Sequence, residues 1–198
     1  MNYKKLLLIL LCLPLFVFSQ VELHQWNNSY YNKYNYSTFQ SLSIIHQDID
    51  LNNIDYELLN AAIFYSTNIQ RVKNRRTPFT YSSSLERAAQ GHSEDMVRYD
   101  FFSHTSSVRG KRSMSDRLAL LGIKNCYMGE NIALRSISAS YWDLALSLLD
   151  QWMNSSGHRK NILNSNYQYL GCGSYDYENG SFTYIKSTQN FSSKSGRN

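Results

Sequence analysis

The chain has 198 residues, a formal net charge of +5 and only 18% charged side chains. Because this charge is small and no basic stripe is interleaved with aromatic residues, the composition argues against a nucleic-acid-binding protein. The length is sufficient for one domain with a sizeable hydrophobic core.

The first 20 residues have the features of a cleaved secretory signal. Two lysines near the start precede an apolar run from Leu6 to Phe18, and the polar pair Ser19 and Gln20 follows. The run is too short to span a membrane, and no stop-transfer pattern comes after it. We therefore expect an exported protein, secreted or periplasmic, with no transmembrane segment after signal cleavage.

Cys126 and Cys172 are the cysteines outside the leader. An even pair of cysteines in an exported chain predicts a disulfide, here between two segments next to predicted strands. The alternative is a pair of buried, unpaired thiols that behave as small hydrophobic groups. A catalytic Cys126 is a third interpretation, although nothing around it signals a lowered thiol pKa.

Residues 21–54 form an N-terminal extension rich in Asn, Tyr, Ser and Gln. No helical or strand period persists, and few aliphatic residues are available for burial. The composition predicts an irregular, partly disordered segment. Alternatively, its tyrosines form a surface for glycan or cell-envelope contacts.

Apolar residues at helical spacing predict four helices in the rest of the chain. The first begins near Asp55, a good N-cap, and runs towards Lys73, and the second begins after residues 82–84. A short helix over 116–121 is closed by a glycine, and a fourth runs over 141–153. His92 falls on the apolar face of the second helix, so we expect it to point inward and not to bind a ligand.

Alternating patterns predict strands at 127–134, 169–175 and 182–186, followed by a polar, frayed tail at 192–198. An Asn-Gly pair at 179–180 indicates a hairpin between the last two strands. Helices that precede a few antiparallel strands predict an α+β fold built in layers.

Three side chains are the candidates for a shared cleft: His104, which follows two aromatic residues on a loop, Glu130 at a strand entry, and His158 after the fourth helix. Two imidazoles and one carboxylate are the ligand set of an open zinc site. The same three groups also suit general acid–base chemistry without a metal. A purely structural interpretation also remains, in which the three side chains only connect loops through hydrogen bonds.

Several motifs resemble those of the bacterial CAP (SCP-like) domain family, which belongs with the cysteine-rich secretory, antigen five and pathogenesis-related proteins. The similar segments follow the family's order and lie at 89–96, 101–104, 129–133, 152–163, 171–173 and 188–191. They include Phe-Phe-Ser-His, Gly-Glu-Asn-Ile-Ala and Gly-His-Arg. The resemblance places a CAP domain at 55–191 and leaves the extension outside it.

The resemblance implies an α-β-α sandwich with a small central antiparallel sheet and a shallow cleft. In the eukaryotic branch that cleft has two His and two Glu, which bind a divalent metal. His104 matches the first His of that cleft, and Glu130 matches its first Glu. The second Glu is absent here, Lys186 and Ser187 stand where the second His precedes Thr-Gln, and His158 is the substitute by pattern.

These observations give two main hypotheses of function, beside a purely structural cell-envelope protein whose N-terminal extension is the contact surface. The first is an extracytoplasmic binding module whose cleft takes a small apolar or glycan-like ligand or a cell-envelope component, with a divalent metal such as zinc as its only candidate cofactor. The second is a metal-assisted, protease-like hydrolase that uses the same cleft. No nucleophile is identifiable in the sequence, which favours the binding module over the enzyme.

Overall fold

The computed structural model describes residues 25–137 and 139–196. The predicted leader and the last two residues of the predicted tail lie outside these ranges. Within them, no helix is long and apolar enough to cross a membrane.

Five α-helices and four strands occur in the described ranges. In chain order they are α1 (Tyr56–Lys73), β1 (Thr80–Tyr81), α2 (Ser83–Arg98), α3 (Met114–Leu120), β2 (Met128–Ser136), α4 (Tyr141–Asn154), α5 (Ser156–Ile162), β3 (Tyr169–Asn179) and β4 (Phe182–Ser192). The predicted helices and strands are all present, and β1 is an element that the sequence pattern did not indicate.

Side-chain caps determine where the helices begin. Asp55 accepts a hydrogen bond from Leu58 N at the start of α1, and Ser82 accepts one from Leu85 N at the start of α2. At α3, Ser113 and Asp116 form a reciprocal capping box. These caps satisfy backbone N–H groups that have no partner within the helix, which is why each helix starts where its cap residue stands.

The sheet has the strand order β1-β3-β4-β2. The β2–β4 and β3–β4 pairs are antiparallel, whereas the two-residue β1 pairs in parallel with β3. The predicted hairpin turn is confirmed, with Gly180 at a φ of 63° between β3 and β4. β2 lies at an edge of the sheet, where α3, α4 and α5 contact it.

Helices cover both faces of this sheet, which confirms the α+β class and the α-β-α sandwich. α2 packs on one face against β3 and β4, and α1 and α4 pack on the other. Close approach of α2 requires glycine in β3, since a Cβ on Gly171 would lie 2.0 Å from the backbone nitrogen of Glu86.

The N-terminal extension does not have the predicted disorder between residues 25 and 54. It folds into three short 3₁₀ helices and adds side chains to the core on the α1 and α4 side, among them Trp26, Phe39 and Ile45. Trp26 contacts Phe39 and Tyr65 edge-on, at ring-centroid distances of 5.3 and 6.1 Å. Aromatic rings thus supply the apolar area that we expected to be missing.

The predicted Cys126–Cys172 disulfide is not formed in the structure, where both cysteines are free. Cys172 is buried and its register partner on β4 is Gln189, whereas the Cys126 thiol contacts the hydroxyl of Ser192, three residues further along β4. Strands rise about 3.3 Å per residue, so the two sulfur atoms are set at different levels of the sheet. Part of the tail that was predicted to be frayed is also fixed to the domain, because the backbone oxygen of Ser195 accepts a hydrogen bond from the Ser82 hydroxyl.

Glu86 on α2 joins the extension to the domain. Its carboxylate accepts hydrogen bonds from the Tyr81 hydroxyl and, at 3.5 Å, from the Asn28 amide. Burial raises the pKa of Glu86 to about 7, because a charged carboxylate is poorly solvated at this position.

We expect Glu86 to lower the stability of the protein as the pH rises. An acid whose pKa is higher in the folded than in the unfolded state, where it is about 4.3, releases its proton less readily when folded, so stability falls between about pH 4.3 and 7. Glu86→Gln should therefore gain up to about 3 kcal/mol relative to the wild type between about pH 5 and pH 8, measured by urea unfolding. Glu178→Gln, at an exposed position of β3, is the control and should show no such trend. Parallel pH profiles for wild type and Glu86→Gln would contradict the assignment.

Candidate functional site

Glu130 is the centre of a buried polar cluster beside the edge strand β2. Its side chain lies on the α2 face of the sheet and is only 4% exposed. Arg117 on α3 donates a hydrogen bond from Nη2 to Oε2 at 2.6 Å, and His104 donates from Nδ1 to Oε1 at 2.9 Å. Both carboxylate oxygens are therefore engaged by neighbouring side chains.

Two asparagines complete the surroundings of Glu130. The Asn190 amide, oriented so that both its polar atoms have partners, donates to Oε2 at 3.1 Å and accepts from Ala89 N at 3.0 Å. Asn161 on α5 donates to the Glu130 backbone oxygen at 3.2 Å. The cluster thus connects α2, α3, α5 and the two strands β2 and β4 around one carboxylate.

The environment keeps Glu130 ionised. Burial by itself raises the pKa of a carboxyl group, but the hydrogen bond from His104 and the charge of Arg117 outweigh it, and the pKa lies below its usual value. A carboxylate with a lowered pKa is a weak base, so Glu130 is better suited to orient its neighbours than to remove a proton.

His104 lies on the loop after α2, which is fixed at its start. Asp100 has a φ of 47°, and Phe101 N donates to Met96 O at 3.0 Å to close the helix end. The ammonium of Lys186 donates to the backbone oxygens of Met96 and Phe101. These contacts hold the loop so that the His104 side chain, 55% exposed, reaches Glu130 with Nδ1 and leaves Nε2 for solvent.

His158 on α5 faces His104, with the two ring centroids 6.5 Å apart. Asn131 anchors the start of α5 by donating to the His158 backbone oxygen at 3.2 Å. The Nδ1 atom of His158 is buried without a partner among the described residues, so Nε2 is the nitrogen that a ligand reaches. Burial and the nearby His104 lower the pKa of His158, which favours the neutral ring.

His92 points inward as predicted, but it belongs to the cluster. Burial lowers its pKa to about 4, so the ring is neutral, and Nε2–H donates to Ser103 O at 3.1 Å. The same nitrogen lies 3.7 Å from Glu130 Oε1. His92 therefore supports both the loop that carries His104 and the carboxylate that orients it.

The three predicted site residues lie near one another, but they do not converge on one point. Glu130 and His104 are in direct contact, whereas His158 contacts His104 and not the carboxylate. Arg117 and Asn190 are essential to the cluster and were missed. No local signal marks Arg117, because an arginine on a short helix is usually solvated.

The site supplies two metal ligands and not the three that were predicted. Among the residues that the structure describes, no group of three His, Cys, Asp or Glu side chains is placed to hold a metal ion. Glu130 has its oxygens occupied, and the Arg117 guanidinium next to it repels a cation. The imidazoles of His104 and His158 remain, and two imidazoles are half of a tetrahedral zinc coordination.

The match to a protein-family model agrees with this architecture. The model of the CAP family, described as the cysteine-rich secretory protein family, matches residues 64–191. The chain belongs to the CAP family. The extension and the first eight residues of α1 precede the matched region.

Two relatives from Bacillus subtilis (strain 168) are similar to part of the CAP domain. The uncharacterized membrane protein YlbC is 37% identical over 107 residues, which cover 54% of this chain and 29% of YlbC. The uncharacterized protein YkwD is 36% identical over 107 residues, covering 54% of this chain and 38% of YkwD. The matched segment is thus well under half of either relative.

A solved structure shows the same fold. An extracellular protein containing an SCP domain, from Bacillus anthracis str. Ames, superposes with a TM-score of 0.57 at 32% identity over 70% of this chain and 41% of that chain. An outer surface protein from Borrelia burgdorferi has a TM-score of 0.51 at 14% identity, over 75% of this chain and 98% of that chain, which is a likeness of fold alone.

Proposed function

We propose that this CAP-domain protein is an extracytoplasmic binding module that presents the imidazoles of His104 and His158 to its ligand. The observation that carries the proposal is the arrangement of His104: Glu130 holds Nδ1 at 2.9 Å while 55% of the side chain stays exposed. A ring that is fixed on one side and open on the other is pre-organised for binding. The predicted leader and the extracellular relative support the location.

The ligand that these rings suit best is a divalent cation such as zinc. His104 and His158 would supply two nitrogen ligands, and water or a partner molecule would supply the others. Glu130 would act behind His104 as the carboxylate that fixes the ring and raises its basicity. When bound, the metal supplies an open coordination position for an anionic or carbonyl-bearing group of a cell-envelope component.

Zinc titration of the purified protein tests this proposal. We expect one zinc ion per chain, with binding lost in both His104→Ala and His158→Ala. Glu130→Gln should weaken binding by about 10- to 100-fold, as is usual when the partner of a ligating histidine is changed. His46→Ala, an exposed histidine in the extension, is the matched control and should bind as the wild type does. No zinc binding by the wild type, or zinc binding that is retained in both His104→Ala and His158→Ala, would refute the proposal.

The hydrolase hypothesis has one observation in its favour. The Glu130–His104 pair is a base with its orienting carboxylate, the arrangement that activates water or a hydroxyl group in many hydrolases. Turnover of peptide or ester substrates that disappears in His104→Ala and falls in Glu130→Gln would support it. No turnover in a broad substrate panel, or turnover unchanged by these substitutions, would exclude it.

A further inference from the structure

A cavity lies between the N-terminal extension and the start of the domain. It has a volume of about 390 Å³ and contains none of the residues of the histidine site. Seven aromatic side chains, three asparagines, one proline and one threonine line it, and no Lys, Arg, His, Asp or Glu does. The volume is within the range of small-ligand sites, which are largely apolar with a few polar groups.

The aromatic rings form a preformed surface. Tyr31 of the extension stacks on Tyr81 of β1 with ring centroids 3.6 Å apart, and Phe64 and Tyr65 of α1 lie buried behind them. Tyr36 is partly exposed at the rim. Because the rings hold one another by stacking and edge contacts, little side-chain entropy remains to be lost when a ligand binds.

Few polar groups of this cavity are open to a ligand, because Asn68 and the hydroxyls of Tyr65 and Tyr81 already have partners within the chain. The Asn32 side chain is exposed and forms no hydrogen bond within the described part of the chain. The Tyr34 hydroxyl is buried and has no partner in the same residues. A buried hydroxyl without a hydrogen bond is costly, and most native structures avoid it. Because this hydroxyl is closed to solvent, the exposed Asn32 amide is the polar group that a ligand in the cavity reaches.

We propose that this cavity binds a neutral saccharide. Tyrosine faces pack against the C–H face of a sugar ring, while amide and phenol groups hydrogen-bond its hydroxyls. No charged side chain lines the cavity, so a charged ligand would form no direct ion pair there, which disfavours sulfated and amino sugars. The family model begins at residue 64, so the extension supplies walls that lie outside the matched region. The proposal is independent of the histidine site.

Calorimetric titration of the purified protein with the trisaccharide N-acetylchitotriose tests the proposal. Asn32→Ala and Tyr36→Ala should each weaken binding by about tenfold, the equivalent of one lost contact. Tyr34→Phe removes a hydroxyl that is closed to solvent and has no partner among the described residues, so it should leave the affinity unchanged and should not lower Tm.

Matched controls are available elsewhere on the surface. Tyr99 is 59% exposed and Asn53 is exposed, and neither lines this cavity, so Tyr99→Ala and Asn53→Ala should bind the trisaccharide as the wild type does. Absence of binding to N-acetylchitotriose, or equal affinities in all variants, would overturn the proposal. Decaproline is the competing probe, since proline-rich peptides also dock in aromatic grooves. Tight decaproline binding without saccharide binding would identify a peptide site instead.

Discussion

Arg117→Met should destabilise the protein by about 3–5 kcal/mol, because it leaves the buried carboxylate of Glu130 without its cationic partner. Arg117 is 2% exposed at its side chain and also donates to the backbone oxygens of His104 and Lys111. The loss should be measured by urea unfolding near neutral pH. It should shrink as the pH falls, because protonation of Glu130 removes the unpaired charge.

Two further variants separate charge from packing in this result. Arg117→Met with Glu130→Gln should recover part of the lost stability, since no charge is then left buried. Lys111→Met removes the Lys111–Asp95 pair, whose lysine is 37% exposed, and should cost about 1 kcal/mol or less. If Arg117→Met cost as little as Lys111→Met, the carboxylate of Glu130 would not depend on Arg117.

Gly171→Ala should be among the most damaging single-methyl changes, together with Gly173→Ala, with a loss of about 3 kcal/mol or more. Its Cβ would lie 2.0 Å from Glu86 N and 2.4 Å from Leu85 C, which are backbone atoms of α2. Since backbone atoms cannot rotate away as a side chain does, α2 would have to move from the sheet. His104 lies on the loop that follows α2, so zinc binding should weaken together with stability.

Gly91→Ala on α2 is the matched control for the same chemical change. A Cβ at Gly91 meets nothing within 4 Å, so only the helix propensity changes, and the variant should gain about 0.5–1 kcal/mol. Equal effects of the two substitutions on the midpoint of thermal unfolding would show that close packing of α2 on β3 is not what Gly171 provides.

The candidate site shows which contacts can be predicted from a sequence pattern and which cannot. His104 and Glu130 were placed together from their motifs, and the structure joins them directly. Arg117 was not predicted, because its role depends on α3 folding back onto β2, and contacts between distant segments leave no periodic trace in a sequence. His158 was predicted beside the carboxylate but faces His104 instead, since Asn131 and α5 determine where its ring lies.

The sequence by itself determined the four predicted helices, the main strands and the hairpin, because caps, turn residues and apolar periods act over a few neighbouring residues. The CAP fold was implied by the resemblance of several motifs to that family. Only the tertiary structure decided what the extension and the cysteines do. Trp26 and Phe39 of the extension are buried by rings from α1 and α4, so a segment that is poor in aliphatic residues still folds onto the domain. Cys126, just before β2, and Cys172 on β3 are kept apart because β4 lies between these two strands and pairs with them at different levels. This arrangement depends on hydrogen bonds along the whole sheet and not on the spacing of two residues.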